Sequence, residues 1–164
     1  MKKLFVAAFI LLSTFASSSY ADIKVGIILG FTGPIESLTP AMRDSAKLAF
    51  KEASDSGSLL GGKKITVLEG DSTCVDSAAA QAAAEKLISE GVVAIMGADC
   101  SGVTGAIASN VAVPKGITMI SPSATSPGLT TLDDKGYLFR TAPSDARGGQ
   151  ILADITKDRK IKSV

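Results

Sequence analysis

The chain has 164 residues, with 17 Lys and Arg against 16 Asp and Glu, and only 5% of its residues are aromatic. Scattered charge of near-zero balance and few stacking side chains argue against a nucleic-acid-binding protein or a membrane-surface protein. The chain contains no His and no Trp, so it lacks the commonest general base and the commonest metal ligand.

Residues 1–21 have the pattern of a secretory signal peptide. Lys2 and Lys3 precede the apolar run Leu4–Leu12, and Ser19-Tyr20-Ala21 supplies small residues for cleavage before Asp22. The apolar run is too short to span a bilayer, although a retained membrane anchor is the alternative. We therefore predict a signal peptide at residues 1–21 and an exported protein.

Short β-rich runs then alternate with helical patterns. The predicted strands are Ile23–Leu29, Lys64–Leu68, Val92–Met96 and Ile117–Ile120, with a short extra strand at Tyr137–Arg140 and the start of a fifth strand at Ile161–Val164. The predicted helices are Thr39–Ala53, Ser77–Glu90, Ser101–Asn110 and Ala146–Lys157, with Thr39 and Ser101 as N-caps and Gly91 closing the second helix.

This alternation predicts an α/β domain with a doubly wound parallel sheet in the flavodoxin-like order 2-1-3-4-5. The last apolar run stops about four residues into a strand. We therefore expect a truncated chain.

Four loops follow the predicted strands, at residues 30–38, 71–74, 97–101 and 121–127, and they are rich in Gly, Ser and Thr. In open α/β sheets, ligands bind beyond the carboxyl ends of the strands. In the last loop, Pro122 and Pro127 end the strand and leave small hydroxyl side chains and backbone amides. Such a loop suits a carboxylate or an ammonium group, and a Ser/Thr turn without a ligand is the structural alternative.

Cys74 and Cys100 are the two cysteines of a chain predicted to be exported. A disulfide is the expected state in that environment, and a two-cysteine metal site is the alternative. The bridge would close a loop of about 27 residues and stabilise the fold by about 3 kcal/mol. It would join two loops at the predicted ligand edge of the sheet.

The sequence contains none of the common catalytic motifs. Ser101 and Ser121 lack a His partner, and the sequence contains no G-x-S-x-G elbow, no P-loop and no G-x-G-x-x-G. Asp71, Asp76 and Asp99 could ligate a hard metal ion, but dispersed carboxylates near strand ends are more often solvated. We expect no metal, no cofactor and no enzymatic activity.

The chain resembles the periplasmic branched-chain amino acid and amide binding proteins, the type I solute receptors of ATP-driven uptake systems. The resemblance runs from Asp22 to the last residue. It rests on the order and spacing of five segments, namely Asp22–Ile27, Thr32-Gly33-Pro34, Gly70–Cys74, Gly97–Gly102 and Ile120–Pro127. It implies that residues 22–164 are the N-terminal ligand-binding lobe and that a second lobe is absent from this chain.

The resemblance also implies the site. Ser101 and Thr125 would hold the α-carboxylate of an amino acid through hydroxyls and amides, and the Ser123 carbonyl with the Thr125 hydroxyl would take the α-ammonium. The Cys74–Cys100 bridge would lie beside the ligand side chain. Leu38 stands where relatives often carry an aromatic residue.

Asp99 stands where leucine is familiar. A carboxylate buried unpaired beside the pocket would disfavour an aliphatic ligand, and the alternative is that Asp99 faces solvent.

The leading hypothesis is therefore a monomeric periplasmic receptor that delivers an amino acid or small amide to a membrane permease. A ligand-sensing domain of a receptor with the same fold is the second hypothesis. A secreted α/β enzyme with catalytic groups beyond this chain is the third. Because half a site leaves the ligand largely solvated, we expect weak or undetectable binding by this chain alone.

Overall fold

A computed structural model describes residues 22–163, so the predicted signal peptide lies outside the described residues. Within them, one parallel sheet has the order β2-β1-β3-β4-β5, which confirms the predicted doubly wound α/β fold. The strands are β1 (Ile23–Leu29), β2 (Ile65–Asp71), β3 (Val92–Gly97), β4 (Thr118–Ser121) and β5 (Leu138–Arg140). The α-helices are α1 (Thr39–Asp55), α2 (Ser77–Ser89), α3 (Ser101–Ile107, continued by a π-turn at Ala108–Ala112) and α4 (Asp145–Asp158).

β1 is an interior strand of the sheet, and its residues 25–29 are all buried. Such a run is typical of a parallel strand that is covered on both faces. β2 and β3 flank β1 on opposite sides, so right-handed crossovers place α1 and α2 on opposite faces of the sheet. The well-packed core lies on the face covered by α2 and α3, where Ile28, Leu87, Ile107 and Met119 are buried together.

The face covered by α1 is more open. A groove of about 650 Å³ lies between α1 and the face of β3 and β4, and its lining is mostly apolar, including Met42, Phe50 and Ile120. Ile120 is 45% exposed and Phe139 is 52% exposed. No helix within residues 22–163 is both long enough and apolar enough to cross a membrane.

Two predicted strands differ from the structure by more than one residue at an end. β2 continues three residues beyond Leu68, because Glu69, Gly70 and Asp71 pair with the end of β1. The prediction of a strand beginning at Ile161 is wrong for residues 161–163, which form no strand. The place beside β4 is instead filled by β5, where Ile120 pairs with Phe139.

Candidate ligand-binding site

The first four strands end at one edge of the sheet, at Leu29, Asp71, Gly97 and Ser121. The polar loops that follow them therefore meet at this edge, as the sequence predicts. Hydrogen bonds between side chains and backbone groups join each loop to its neighbours.

Gly97 lets the loop after β3 pass close to β1. Its φ is +132°, and a Cβ built there would lie 2.0 Å from the Ile28 carbonyl oxygen, so only glycine fits. The following peptide bond to Ala98 is cis. The Ala98 carbonyl accepts hydrogen bonds from the hydroxyls of Ser121 and Thr104, which ties the loop after β3 to the loop after β4.

Ser101 has a different role from the predicted N-cap. α3 begins at Ser101, and Cys100 is its N-cap residue without a side-chain cap bond. The Ser101 Oγ instead accepts hydrogen bonds from the backbone amides of Thr125 and Ser126, each at 3.1 Å. The N-cap prediction is therefore wrong, because the hydroxyl is used across the sheet edge to hold the loop after β4. This contact brings together Ser101 and Thr125, the two residues predicted to bind a carboxylate.

Thr125 is also tied to α4 through Asp145. The Thr125 hydroxyl donates a hydrogen bond to Asp145 Oδ2 at 2.8 Å, and the Asp145 amide donates to the Thr125 carbonyl at 3.0 Å. Sequence reasoning missed Asp145, because the predicted helix began one residue later. Ser144 caps α4 by accepting the amide of Ala146. A serine followed by an acidic residue is a common signal for the start of a helix, and this signal could have identified Asp145.

Asp99 is buried, with 3% of its surface exposed, so the interpretation that it faces solvent is wrong. Its carboxylate accepts hydrogen bonds from the Gly30 amide at 2.6 Å, the Ser72 hydroxyl at 3.2 Å and the Cys100 amide at 2.9 Å. Its carbonyl accepts one from the Ser123 hydroxyl at 3.0 Å. Asp99 therefore contacts the loops after β1, β2 and β4 from its own loop after β3.

The other two carboxylates considered as possible metal ligands, those of Asp71 and Asp76, also have structural partners. Asp76 caps α2 by accepting the amides of Ala78 and Ala79. Asp71 accepts the Thr32 hydroxyl at 2.6 Å and the Thr73 amide at 2.8 Å. Burial alone would raise the pKa of Asp71, but these hydrogen bonds outweigh it and hold that pKa below its ordinary value.

Cys74 and Cys100 form the predicted disulfide, with their Cα atoms 5.2 Å apart. The bridge joins the loops after β2 and β3, on either side of β1. Thr73 and Cys74 both have positive φ, at 55° and 68°. This bend brings the Thr73 carbonyl within 2.5 Å of where a Cβ of Gly33 would stand, and Gly33 itself has φ of +96°. The loops after β1 and β2 therefore approach each other at the backbone.

Leu38 and Ser123 are the more exposed members of the predicted set. Leu38 is 62% exposed, and no hydrogen bond among the described residues joins it to Ser101, Ser123 or Thr125. Ser123 is exposed and is held through Asp99. Arg140 in β5 donates to the Ser126 carbonyl at 2.8 Å, a support for the loop after β4 that the sequence analysis did not identify.

The sequence profile of the periplasmic binding protein family matches residues 22–164. A curated relative, the Leu/Ile/Val-binding protein homolog 3 of Brucella melitensis, is 29% identical over 165 aligned positions that include 100% of this chain and 44% of the relative. The chain therefore spans less than half the length of that relative.

Solved structures agree with the fold. The branched-chain amino acid transporter substrate binding protein LivJ of Streptococcus pneumoniae, in complex with isoleucine, has a TM-score of 0.68 and 32% identity, over 76% of this chain and 35% of that chain. A solute binding protein of an ABC transporter from Rhodopseudomonas palustris, in complex with 3,4-dihydroxybenzoic acid, has a TM-score of 0.72 and 25% identity, over 86% of this chain and 37% of that chain. The ligands of these two proteins share a carboxylate.

Proposed function

The chain belongs to the periplasmic binding protein family, and we propose that residues 22–164 form the first lobe of a two-lobed receptor. In this proposal, residues 1–21 direct export to the periplasm, and the receptor delivers an amino acid or small amide to the permease of an ABC transporter. The receptor works by binding alone, since ligand stabilises a closed form that the permease recognises.

The hydrogen bonding of the Ser101 hydroxyl is the main support for this proposal. Its oxygen accepts two backbone amides, and a hydroxyl has two lone pairs and one proton. Both lone pairs are therefore used, and the proton remains as a donor at the sheet edge. A donor fixed in this way suits a carboxylate oxygen, and its bond to a charged acceptor is stronger than a neutral one.

Thr125 has the opposite polarity. Its hydroxyl proton is donated to Asp145 Oδ2, so the oxygen keeps lone pairs for an incoming donor. The Asp145 carboxylate adds negative charge beside it. A carboxylate-binding Ser101 next to an ammonium-binding Thr125 matches the two charged groups of an α-amino acid.

The environment of Asp99 bears on which ligand side chain the site would accept. Three hydrogen-bond donors meet its carboxylate, so the premise of an unpaired buried charge does not hold. An aliphatic ligand side chain, resting against the Cys74–Cys100 bridge and Leu38, is therefore compatible with this lobe. Leucine and related amino acids are the ligands that we test first.

The test compares leucine with isocaproate, which has the same carbon chain and carboxylate but no amino group. The two-lobed receptor is titrated with each by calorimetry. We expect leucine to bind at least about tenfold more tightly, because one charge-assisted hydrogen bond contributes about 1.5–3 kcal/mol. In Asp145→Asn, the preference for leucine over isocaproate should shrink.

An aromatic acid is the second candidate ligand, favoured by the dihydroxybenzoate-bound neighbour. Benzoates carry a carboxylate and no ammonium group, so they would use Ser101 without needing Asp145. If a hydroxybenzoate binds more tightly than any amino acid, and Asp145→Asn does not change its affinity, the ligand of the receptor is an aromatic acid and not an amino acid. Turnover of a bound ligand would contradict the non-enzymatic proposal.

A further inference from the structure

Asp99 lies where the four loops of the ligand edge meet. Its carboxylate reaches Gly30 in the loop after β1 and Ser72 in the loop after β2. Its carbonyl holds the hydroxyl of Ser123 in the loop after β4. Along the chain, Asp99 is followed by Cys100 and then by Ser101, the first residue of α3.

The chemistry of this contact requires a carboxylate. The Gly30 amide, the Cys100 amide and the Ser72 hydroxyl all donate to it, and a carboxylate only accepts. An amide side chain in the same place would present two N–H groups to a cluster of donors. At least one buried donor would then lose its acceptor, which forces the loops apart or leaves the donor unpaired.

Gly30 shows why this contact bears on the geometry of the site. Its amide is held by Asp99, while its carbonyl accepts the hydroxyl of Thr39, which begins α1 and is fully buried. The two peptide groups that flank the Gly30 Cα are thus both held, and with them the start of the loop that ends at Leu38. The disulfide ties the loops after β2 and β3, and Asp99 adds the loops after β1 and β4 to that pair.

We propose that Asp99 is a positioning residue for the ligand site, which sets the spacing of Ser101, Ser123 and Leu38 without touching the ligand. This inference rests on the proposed function for its consequence in binding. Its structural part, the transmission of order from Asp99 to the loop after β4, stands independently and can be measured without a ligand.

The first test is amide hydrogen exchange in the full chain, comparing the wild type with Asp99→Asn. The amides of Thr125 and Ser126 are the reporters, because they bond to Ser101 and not to Asp99. We expect their exchange to become at least about tenfold faster in the variant, while the amides of α2 keep their protection. Ser72→Ala removes one of the three donors and keeps the carboxylate, so it should produce a smaller rise at the same two amides.

Asp76→Ala is the matched control. Asp76 also accepts two backbone amides, but it does so at the start of α2. Removal of the Asp76 carboxylate should leave the exchange rates of the Thr125 and Ser126 amides unchanged. If exchange at these two amides is unaltered in both folded Asp99→Asn and Ser72→Ala, or rises equally in Asp76→Ala, the positioning role is overturned.

The second test measures affinity in the two-lobed receptor, with leucine, glutamine and lysine as ligands. A positioning residue acts on the loops and not on the ligand side chain. Asp99→Asn should therefore lower the affinity for all three ligands by a similar factor. If lysine is weakened while leucine binds more tightly, Asp99 touches the ligand side chain, and the inference is wrong. If the wild type binds none of them, the proposed function fails, and the exchange experiment still decides the role of Asp99.

Discussion

The Asp71 carboxylate joins the loops after β1 and β2 through the Thr32 hydroxyl and the Thr73 amide. Its pKa lies below the ordinary value because these hydrogen bonds favour the ionised form over the opposing effect of burial. A lowered pKa in the folded state means that the unfolded chain takes up the proton first as pH falls. The contribution of Asp71 to stability is therefore complete at neutral pH and is lost in acid.

We predict that wild type and Asp71→Asn differ most in the free energy of unfolding above about pH 5, since the unfolded carboxyl has a pKa of about 3.9. The difference should shrink as the pH falls through the folded pKa of Asp71. Urea unfolding at a series of pH values measures it. Asp133→Asn, at an exposed ion pair with Lys135, is the control, and parallel pH profiles for wild type and Asp71→Asn would contradict the prediction.

Hydroxyl groups show the limit of sequence-based prediction for single residues. Thr39 and Ser101 both precede helical patterns, so each is a natural N-cap. In the structure, Thr39 begins α1 and donates to the carbonyls of Gly30 and Glu36, and Ser101 accepts amides from a loop 24 residues away. The helix starts could be read from the sequence, but the partner of each hydroxyl is decided by which loop the fold brings beside it.

The disulfide acts on whole segments, because it joins two cysteines that are 26 positions apart in the sequence and that follow the ends of β2 and β3. We predict that Cys74→Ser/Cys100→Ser lowers the free energy of unfolding by about 3 kcal/mol, mainly because the unfolded chain regains conformational freedom. Urea unfolding of the oxidised wild type and the double variant measures this. Dithiothreitol should destabilise only the wild type, and a loss below about 1 kcal/mol would contradict the chain-entropy account.

Strands were predicted best where burial decides them. β1 matches the predicted Ile23–Leu29 residue for residue because both of its faces are covered. The end of β2 was missed because Glu69, Gly70 and Asp71 have low strand propensity and are ordered by pairing with β1. The choice between residues 138–140 and residues 161–163 for the edge of the sheet depended on tertiary pairing that local composition does not encode.

For the molecule as a whole, two surfaces compete as sites for a small ligand. One is the polar edge with Ser101, Ser123 and Thr125, and the other is the apolar groove between α1 and the face of β3 and β4. The sequence predicted the first, from the spacing of its loops, and gave no sign of the second. The lining of the groove is mostly apolar, whereas the polar edge presents the Ser101 hydroxyl as a fixed donor, so we propose that the ligand is captured at the polar edge.

The most direct test of that assignment is a titration of the full chain with leucine, followed through the chemical shifts of its backbone amides. We predict binding weaker than about 1 mM, because the first lobe that we propose this chain to be would by itself leave most of the ligand in water. The shifts should change at residues 97–104 and 121–126. Micromolar affinity, or changes confined to groove residues such as Met42 and Phe50, would contradict the account.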